Sequence, residues 1–285
     1  MTAVLLALVA ALFFGGMSVF IRIGIARCPD VGVGTLATVG TALVVALVAV
    51  GAEAPSRGVH LGAAWPFLLA GLLQPGVGQF LVTLAIRETG ASRASMIFGS
   101  APIVSVAIAL VFLHEPASVP LLVGAVLIVG GGVELARERD RPAHLRRIGM
   151  LFAFVAVILF SSRDNLIRWL AGSTTAPPAV AAAAALLGGL LCAVVVVGPT
   201  LARRRGVRLL PFVPAGLCFG LSYVATFEAY YRGRVTIVSP LIATEALFGV
   251  ALSALLLRRT ELVGRRLAFG ALLIVAGGAL IGATR

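Results

Sequence analysis

Residues 157–172, VILFSSRDNLIRWLAG, place Arg163, Asp164 and Arg168 inside a stretch otherwise apolar enough to cross a membrane. A charge at the centre of a bilayer costs roughly 2.5–3.5 kcal/mol on insertion scales, so it faces protein or a watery cavity rather than lipid. Ser161, Asp164, Asn165 and Arg168 fall at i, i+3, i+4 and i+7, which puts all four on one helical face. A lipid-facing helix would not carry that stripe. The spacing predicts an inward-turned polar face, with the rest of the chain as the wall around it.

The composition agrees. Of 285 residues 60% are hydrophobic and 12% charged, and the mean hydropathy is +1.09. That excludes an ordinary soluble domain. Apolar runs of about 20 residues, enough to cross roughly 30 Å of hydrocarbon, recur along the chain. The expected fold is therefore an all-α membrane protein. Ten spans are predicted: 3–26, 31–51, 61–86, 91–113 and 119–136, then 147–171, 176–201, 210–231, 235–257 and 264–282. Between the two sets lies RERDRPAHLRR at 137–147, the only strongly polar stretch. The domain reading is a first five-helix unit at 1–136, a charged connector at 137–146 and a second unit at 147–285.

The net charge of +12 comes from 23 arginines and no lysine against 11 acids. Most of these arginines fall in short loops, where they set orientation and meet lipid headgroups. The expected partners are membrane lipids and a small solute, with no role for nucleic acid. Cys28, Cys192 and Cys218 show no metal or disulfide spacing. The first span lacks a basic start and a small-residue cleavage site, and reads as a retained helix.

The two halves repeat at an offset of 146. Arg22 pairs with Arg168, Phe14 with Phe160 and Glu115 with Glu261. GAVLIV from Gly124 pairs with GALLIV from Gly270, and Gly131-Gly132 with Gly277-Gly278; in the middle the register slips by about two residues. Five helices is an odd number, so the second unit enters the membrane from the opposite side. The expected architecture is two inverted five-helix repeats with a site near the midplane between them. With Arg22, Arg163 and Arg168 set aside, sixteen arginines fall in odd-numbered connections and four on the other side. The positive-inside rule then places both termini outside the cytoplasm.

The intramembrane charges balance: Arg22, Arg163 and Arg168 against Asp164, Glu228 and Glu245. Two readings stand, structural ion pairs that fix register and groups that line a path. Asp164 and Arg168, at i and i+4, are expected to neutralise each other. Glu245, near the middle of the ninth span, is the sharper candidate to take up and release a proton. Glu228 lies nearer a helix end, where an interfacial role is equally open. Arg22, in the position equivalent to Arg168, either faces the same cavity or snorkels to the interface. Gln79 in the third span, with Gln74, and Tyr223 and Thr226 in the eighth are further polar candidates; packing explains such residues as often. Gly216 and Gly220 have the spacing for close helix contact. Pro102 and Pro240 mark bends in the fourth and ninth spans. At the offset of 146, Phe248 stands opposite Pro102, so the repeat does not require the halves to bend alike.

Enzyme readings fail on residue types. Gly220-Leu-Ser222 resembles the G-x-S of intramembrane serine proteases, but His60, His114 and His144 all fall in loops or at helix ends. No HExxH, DDxxD, cysteine–histidine set or Walker A motif occurs. No cofactor or metal is expected.

Several runs resemble the EamA-type branch of the drug/metabolite transporter superfamily over nearly the whole chain. In the first half they are Ala101-Pro102, Leu113-His-Glu-Pro116 and Gly124-Ala-Val-Leu-Ile-Val-Gly130; in the second they are Leu257-Arg-Arg-Thr-Glu261 and Gly270-Ala-Leu-Leu-Ile-Val-Ala-Gly-Gly278. The resemblance implies secondary transport of amino acids, metabolites or drugs across the cell membrane, often outward, by proton coupling or exchange. It also implies cytoplasmic termini, against the arginine count. The leading expectation is an alternating-access transporter with Arg22, Gln79, Asp164, Asn165, Arg168, Tyr223, Thr226 and Glu245 at its site. The mixed charge suits a zwitterionic or amphipathic solute. The rival is a non-transporting receptor or scaffold subunit, whose polar residues would be buried in pairs with no cavity bordered by the first and sixth helices. Oligomeric state is not legible.

Overall fold

A backbone in hydrocarbon must satisfy its own hydrogen bonds, and helices do so among the described residues. The computed structural model describes residues 2–116, 118–136, 147–201 and 208–256. Of the last segment it describes 269–270, 272–274, 276–277 and 280. The described residues form helices and no strand. In chain order these are α1 (Thr2–Arg27) and α2 (Val31–Arg57), α3 (Trp65–Thr89), α4a (Ala91–Phe98) and α4b (Ala101–Phe112), and α5 (Val119–Ala136). The second half holds α6 (Arg147–Ala171), α7 (Pro178–Leu201), α8 (Val213–Arg232), α9a (Val235–Ile242) and α9b (Glu245–Leu256).

Local chemistry explains the boundaries. Asp30 caps α2, its carboxylate accepting the Val33 N–H at 3.2 Å. Gly90, at φ 88°, turns the chain between α3 and α4a, a left-handed conformation that favours glycine.

Seven helices among the described residues are long and apolar enough to cross a membrane. The difference from ten arises in the fourth, fifth and tenth spans. The fourth span is broken into α4a and α4b, so neither piece is long enough alone. The fifth helix, Val119–Ala136, carries side chains that lie in part outside the described residues beyond Gly131. The tenth, 264–282, and the connector at 137–146 lie largely or wholly outside the described residues.

The broken helices shape the centre. In α3 the helical dihedrals fail at Gln74 (φ −143°, ψ 113°), just before Pro75. The fourth and ninth helices break at Gly99-Ser100 and Ala243-Thr244. At one break the Ser100 hydroxyl donates to the Ile97 carbonyl at 2.6 Å; at the other the Thr244 hydroxyl donates to the Leu241 carbonyl at 2.7 Å. These positions are 144 apart, not 146. The two helices therefore bend alike, and the prolines are not what they share. Pro102 opens α4b, whereas Pro240 lies inside α9a.

The most extensive packing runs between residues before the connector and residues after it: α1 on α8 and α9b, α2 on α7 and α8, α3 on α6 and α7. Small residues make it close. A Cβ at Gly220 of α8 would lie 2.5 Å from Val45 Cβ of α2 and 2.9 Å from the Ala42 carbonyl oxygen, and Gly216 meets Thr38 and Thr41 similarly. A Cβ at Gly131 of α5 would lie 2.5 Å from the Gly270 carbonyl oxygen, and one at Gly277 would lie 2.5 Å from the Gly124 carbonyl oxygen. The contact is reciprocal, and both pairs are 146 apart.

Candidate functional site

The broken middles of α3, α4 and α9 leave backbone and side chains to be covered by α1, α6 and α8. A cavity remains between them. Its walls are Phe14, Met17 and Ser18 of α1; Gln74, Gln79 and Val82 of α3; and Phe98 and Ala101 at the α4 break. Phe160, Arg163 and Asp164 of α6, Phe219 of α8, and Ser239, Ile242, Ala243 and Glu245 at the α9 break complete them. Measured for the centres of water-sized spheres, its volume is about 50 Å³. One water needs about 10–15 Å³ on that measure, so the space holds a few waters and no metabolite.

Arg163 and Asp164 are its electrostatic centre. The pair is 6% and 5% exposed respectively. The Arg163 Nε donates to Asp164 Oδ1 at 2.9 Å and its Nη2 donates to the same oxygen. The other carboxylate oxygen accepts from the Tyr230 hydroxyl at 2.7 Å. The guanidinium carbon sits 5.0 Å from the centroid of the Tyr223 ring, a cation–π distance. Tyr223 in turn donates its hydroxyl to the Gln74 carbonyl at 3.0 Å, tying α8 to the break in α3. Both members of the ion pair are thus held by α8 tyrosines, which offsets part of the cost of burying them.

Glu245 is different. Its side chain lines the same cavity but makes no hydrogen bond or ion pair among the described residues. Gln74 Oε1 is buried without a hydrogen-bond partner among the described residues, tucked over the Gly78 Cα where it leaves no room for a Cβ.

Of the residues singled out from sequence, Gln79, Asp164 and Glu245 border the cavity. Tyr223 and Thr226 lie in the layer behind it, both fully buried, with the Thr226 hydroxyl unpartnered among the described residues. Asn165 faces α4b instead: its amide donates to the Ser105 carbonyl at 3.0 Å and to the Ser161 carbonyl at 2.9 Å. Arg22 is exposed and does not border the cavity. Arg168 is also outside it; its Nη1 donates to the Tyr230 carbonyl at 3.1 Å and its Nε lies 3.9 Å from Glu115.

The expected Asp164–Arg168 pair is therefore replaced. Asp164 takes its neighbour Arg163, and Arg168 takes Glu115, because α8 tyrosines and the loop after α4b offer partners that helical spacing cannot see. Glu115 also accepts the Val235 and Thr236 N–H groups at 3.0 and 2.9 Å, an acid on the N-terminus of α9a. Glu228 sits at the end of α8, paired with Arg232 and, at 3.2 Å, with Arg57. Arg57 also pairs with Glu53, which accepts the Ala179 N–H at 3.0 Å. That cluster ties the ends of α2, α7 and α8.

Sequence reasoning missed Arg163 as a site residue, since it lies off the 161–164–165–168 face. It also missed the aromatic walls. The repeat carried the signal: Phe14 and Phe160, Met17 and Arg163, and Ser18 and Asp164 are each 146 apart, and all six line the cavity. Ala101 and Glu245, 144 apart, do the same. The first half contributes mostly apolar members, the second the charges.

Comparison with known proteins adds the family. A solved crystal structure, whose description names no activity, shares the fold with a TM-score of 0.76 at 19% identity, covering 100% of this chain and 96% of the other. No curated protein sequence matches. The model of the EamA-like transporter family matches residues 1–134 and 147–283. This multi-pass chain thus belongs to the EamA-like transporter family, within the drug/metabolite transporter superfamily.

Proposed function

We propose that the protein is a secondary active exporter of small organic solutes in the cell membrane, working by alternating access between inverted repeats at 1–136 and 147–285. The observation that carries this reading is the charged cavity bordered by α1 of one half and α6 of the other. The scaffold or receptor-subunit reading expected no cavity bordered by these two helices.

Two features support the inverted repeat. At the α4 break the Ser161 hydroxyl of α6 donates to the Ala101 carbonyl at 3.3 Å. At the α9 break the equivalent position of α1, Gly15, packs on the Glu245 carbonyl, where a Cβ would lie 2.9 Å from the oxygen. Each first helix thus covers the broken helix of the other half. The reciprocal Gly131–Gly270 and Gly277–Gly124 contacts follow the same symmetry.

A cavity for a metabolite needs several hundred Å³, on the order of 300 or more. The present space of about 50 Å³ must widen, and rocking of the halves about their glycine-rich contacts supplies the movement. Arg163, Asp164, Gln79 and Glu245 meet the solute, with Tyr223 and Thr226 behind them. Asn165 and Arg168 position α6, and Arg22 snorkels to the interface. The carboxyls of Asp164 and Glu245 carry the coupling to proton movement or exchange.

The test is reconstitution in proteoliposomes. Solutes that raise the melting temperature of the purified protein are assayed for counterflow and for flux driven by a pH gradient. Counterflow of a stabilising solute, with gradient-driven flux lost in Asp164→Asn or Glu245→Gln, is the expected result. Stabilising solutes that never exchange across the bilayer would overturn the transporter reading. Unchanged flux in both variants from mildly acid to mildly alkaline pH would overturn the coupling role alone.

A further inference from the structure

Among the described residues that line the cavity Arg163 is the cation, and Asp164 already holds it. Arg163 gives two donors to Asp164 Oδ1 and its face to Tyr223. Asp164 Oδ2 takes the Tyr230 hydroxyl. That pair is neutral as a unit and closed on itself. What remains open is the Glu245 carboxylate, which lines the cavity with no hydrogen bond or ion pair among the described residues. A carboxylate at membrane depth without a donor is costly until something supplies one.

The walls restrict what can do so. Phe14 and Phe219, with ring centroids 6.3 Å apart, and Phe98 and Phe160, 5.9 Å apart, line the same cavity as Glu245. Aromatic faces attract a cation and pack an apolar or aromatic body. A hard metal cation wants six or more oxygen ligands, far beyond one open carboxylate. A carboxylate ligand must compete with Asp164 for Arg163 while lying near Glu245.

We infer that the cavity selects a small organic amine with an apolar or aromatic body, its ammonium bound by Glu245. The inference rests on the transporter reading of the same cavity and names its substrate class. It sharpens the zwitterion expected from charge balance alone. Only the second half supplies the acid, since Ala101 stands where the first half would need its counterpart.

The experiment compares three probes of nearly equal shape on the purified full chain in detergent: 2-phenylethylamine, phenylalanine and 3-phenylpropionate. Thermal shift and titration calorimetry are the readouts, with sodium chloride at matched ionic strength as the inorganic control. The amine is expected to stabilise the protein, the zwitterion to bind about tenfold more weakly, and the carboxylate not to bind. Glu245→Gln is expected to weaken amine binding about 100-fold, the loss typical of removing one partner of a buried charge pair. Its melting temperature without ligand reports whether it folds. Glu245→Asp, which keeps the charge, is expected to retain the order amine before zwitterion before carboxylate.

Stabilisation by the carboxylate in place of the amine overturns the substrate class, as does undiminished amine binding in folded Glu245→Gln. Equal response to all three, no response to any, or a shift with sodium alone overturns it too. Each of these leaves counterflow of some other solute, and hence the transporter reading, intact. Amine binding without counterflow does the reverse: the site chemistry holds and transport fails.

Discussion

Replacing Asp164 by asparagine keeps the shape of the side chain and removes one charge from the buried pair. Arg163 and Asp164 are 6% and 5% exposed, and Arg163 spends both its Nε and an Nη donor on one Asp164 oxygen. The variant leaves a guanidinium facing an amide, with the Tyr223 ring 5.0 Å away as its main compensation. Breaking a buried pair from one side costs about 3–5 kcal/mol. At about 2–4 °C per kcal/mol for a chain approaching this size, the melting temperature should fall by roughly 6–20 °C. The assay is thermal unfolding of purified protein in detergent, following loss of helical signal. The double variant Arg163→Met/Asp164→Asn removes both charges and should recover most of the loss, because two desolvation penalties leave together. A fall of less than about 2 °C in Asp164→Asn, or a double variant no better than the single, refutes the argument that each charge is held in place by the other.

Glu115→Ala removes the acceptor for the Val235 and Thr236 N–H groups and should cost about 1–2 kcal/mol in thermal unfolding, as loss of a helix cap does. Gly131→Ala and Gly277→Ala place a methyl about 2.5 Å from a carbonyl oxygen of the facing segment. Each should destabilise by about 1–3 kcal/mol, and by similar amounts, since the contacts are reciprocal. Tyr223→Phe keeps the ring under Arg163 but removes the donor to the Gln74 carbonyl, and should cost about 1 kcal/mol. The loss should be accompanied by faster hydrogen exchange around the α3 break, read by mass spectrometry.

The buried α6 stripe illustrates how far periodicity carries an inference. Ser161, Asp164 and Asn165 are buried, as their shared face requires. Their partners are another matter. Ser161 and Asn165 turn to α4 carbonyls, and Asp164 turns to its own neighbour and to Tyr230. Arg168 goes to the end of α8 and to Glu115. A face of about 100° is a property of one helix; the choice among its possible partners belongs to whichever neighbouring helix comes within hydrogen-bond reach. Residue spacing says nothing about that reach, which is why Arg163, off the stripe, became the site cation and Arg22, on its equivalent, did not.

The fourth and ninth helices make the same point for the backbone. Prolines at 102 and 240 suggested bends without saying that both helices break at equivalent places. The shared determinants are a hydroxyl bonded three residues back, Ser100 to Ile97 and Thr244 to Leu241, and a two-residue slip in register. Either is lost in an apolar sequence where many offsets align passably.

Sequence alone determined that the chain is helical, membrane-embedded and of the EamA kind, because span length, mean hydropathy and matched runs are properties of the chain in one dimension. It also determined that several charges must turn away from lipid. Only the tertiary structure decided which of them meet. Three broken helices and the three that cover them bring Met17, Ser18, Arg163, Asp164 and Glu245 to one cavity. The physical reason is that a cavity is made by what helices fail to fill, and that depends on crossings set by glycine contacts tens of residues apart in the chain.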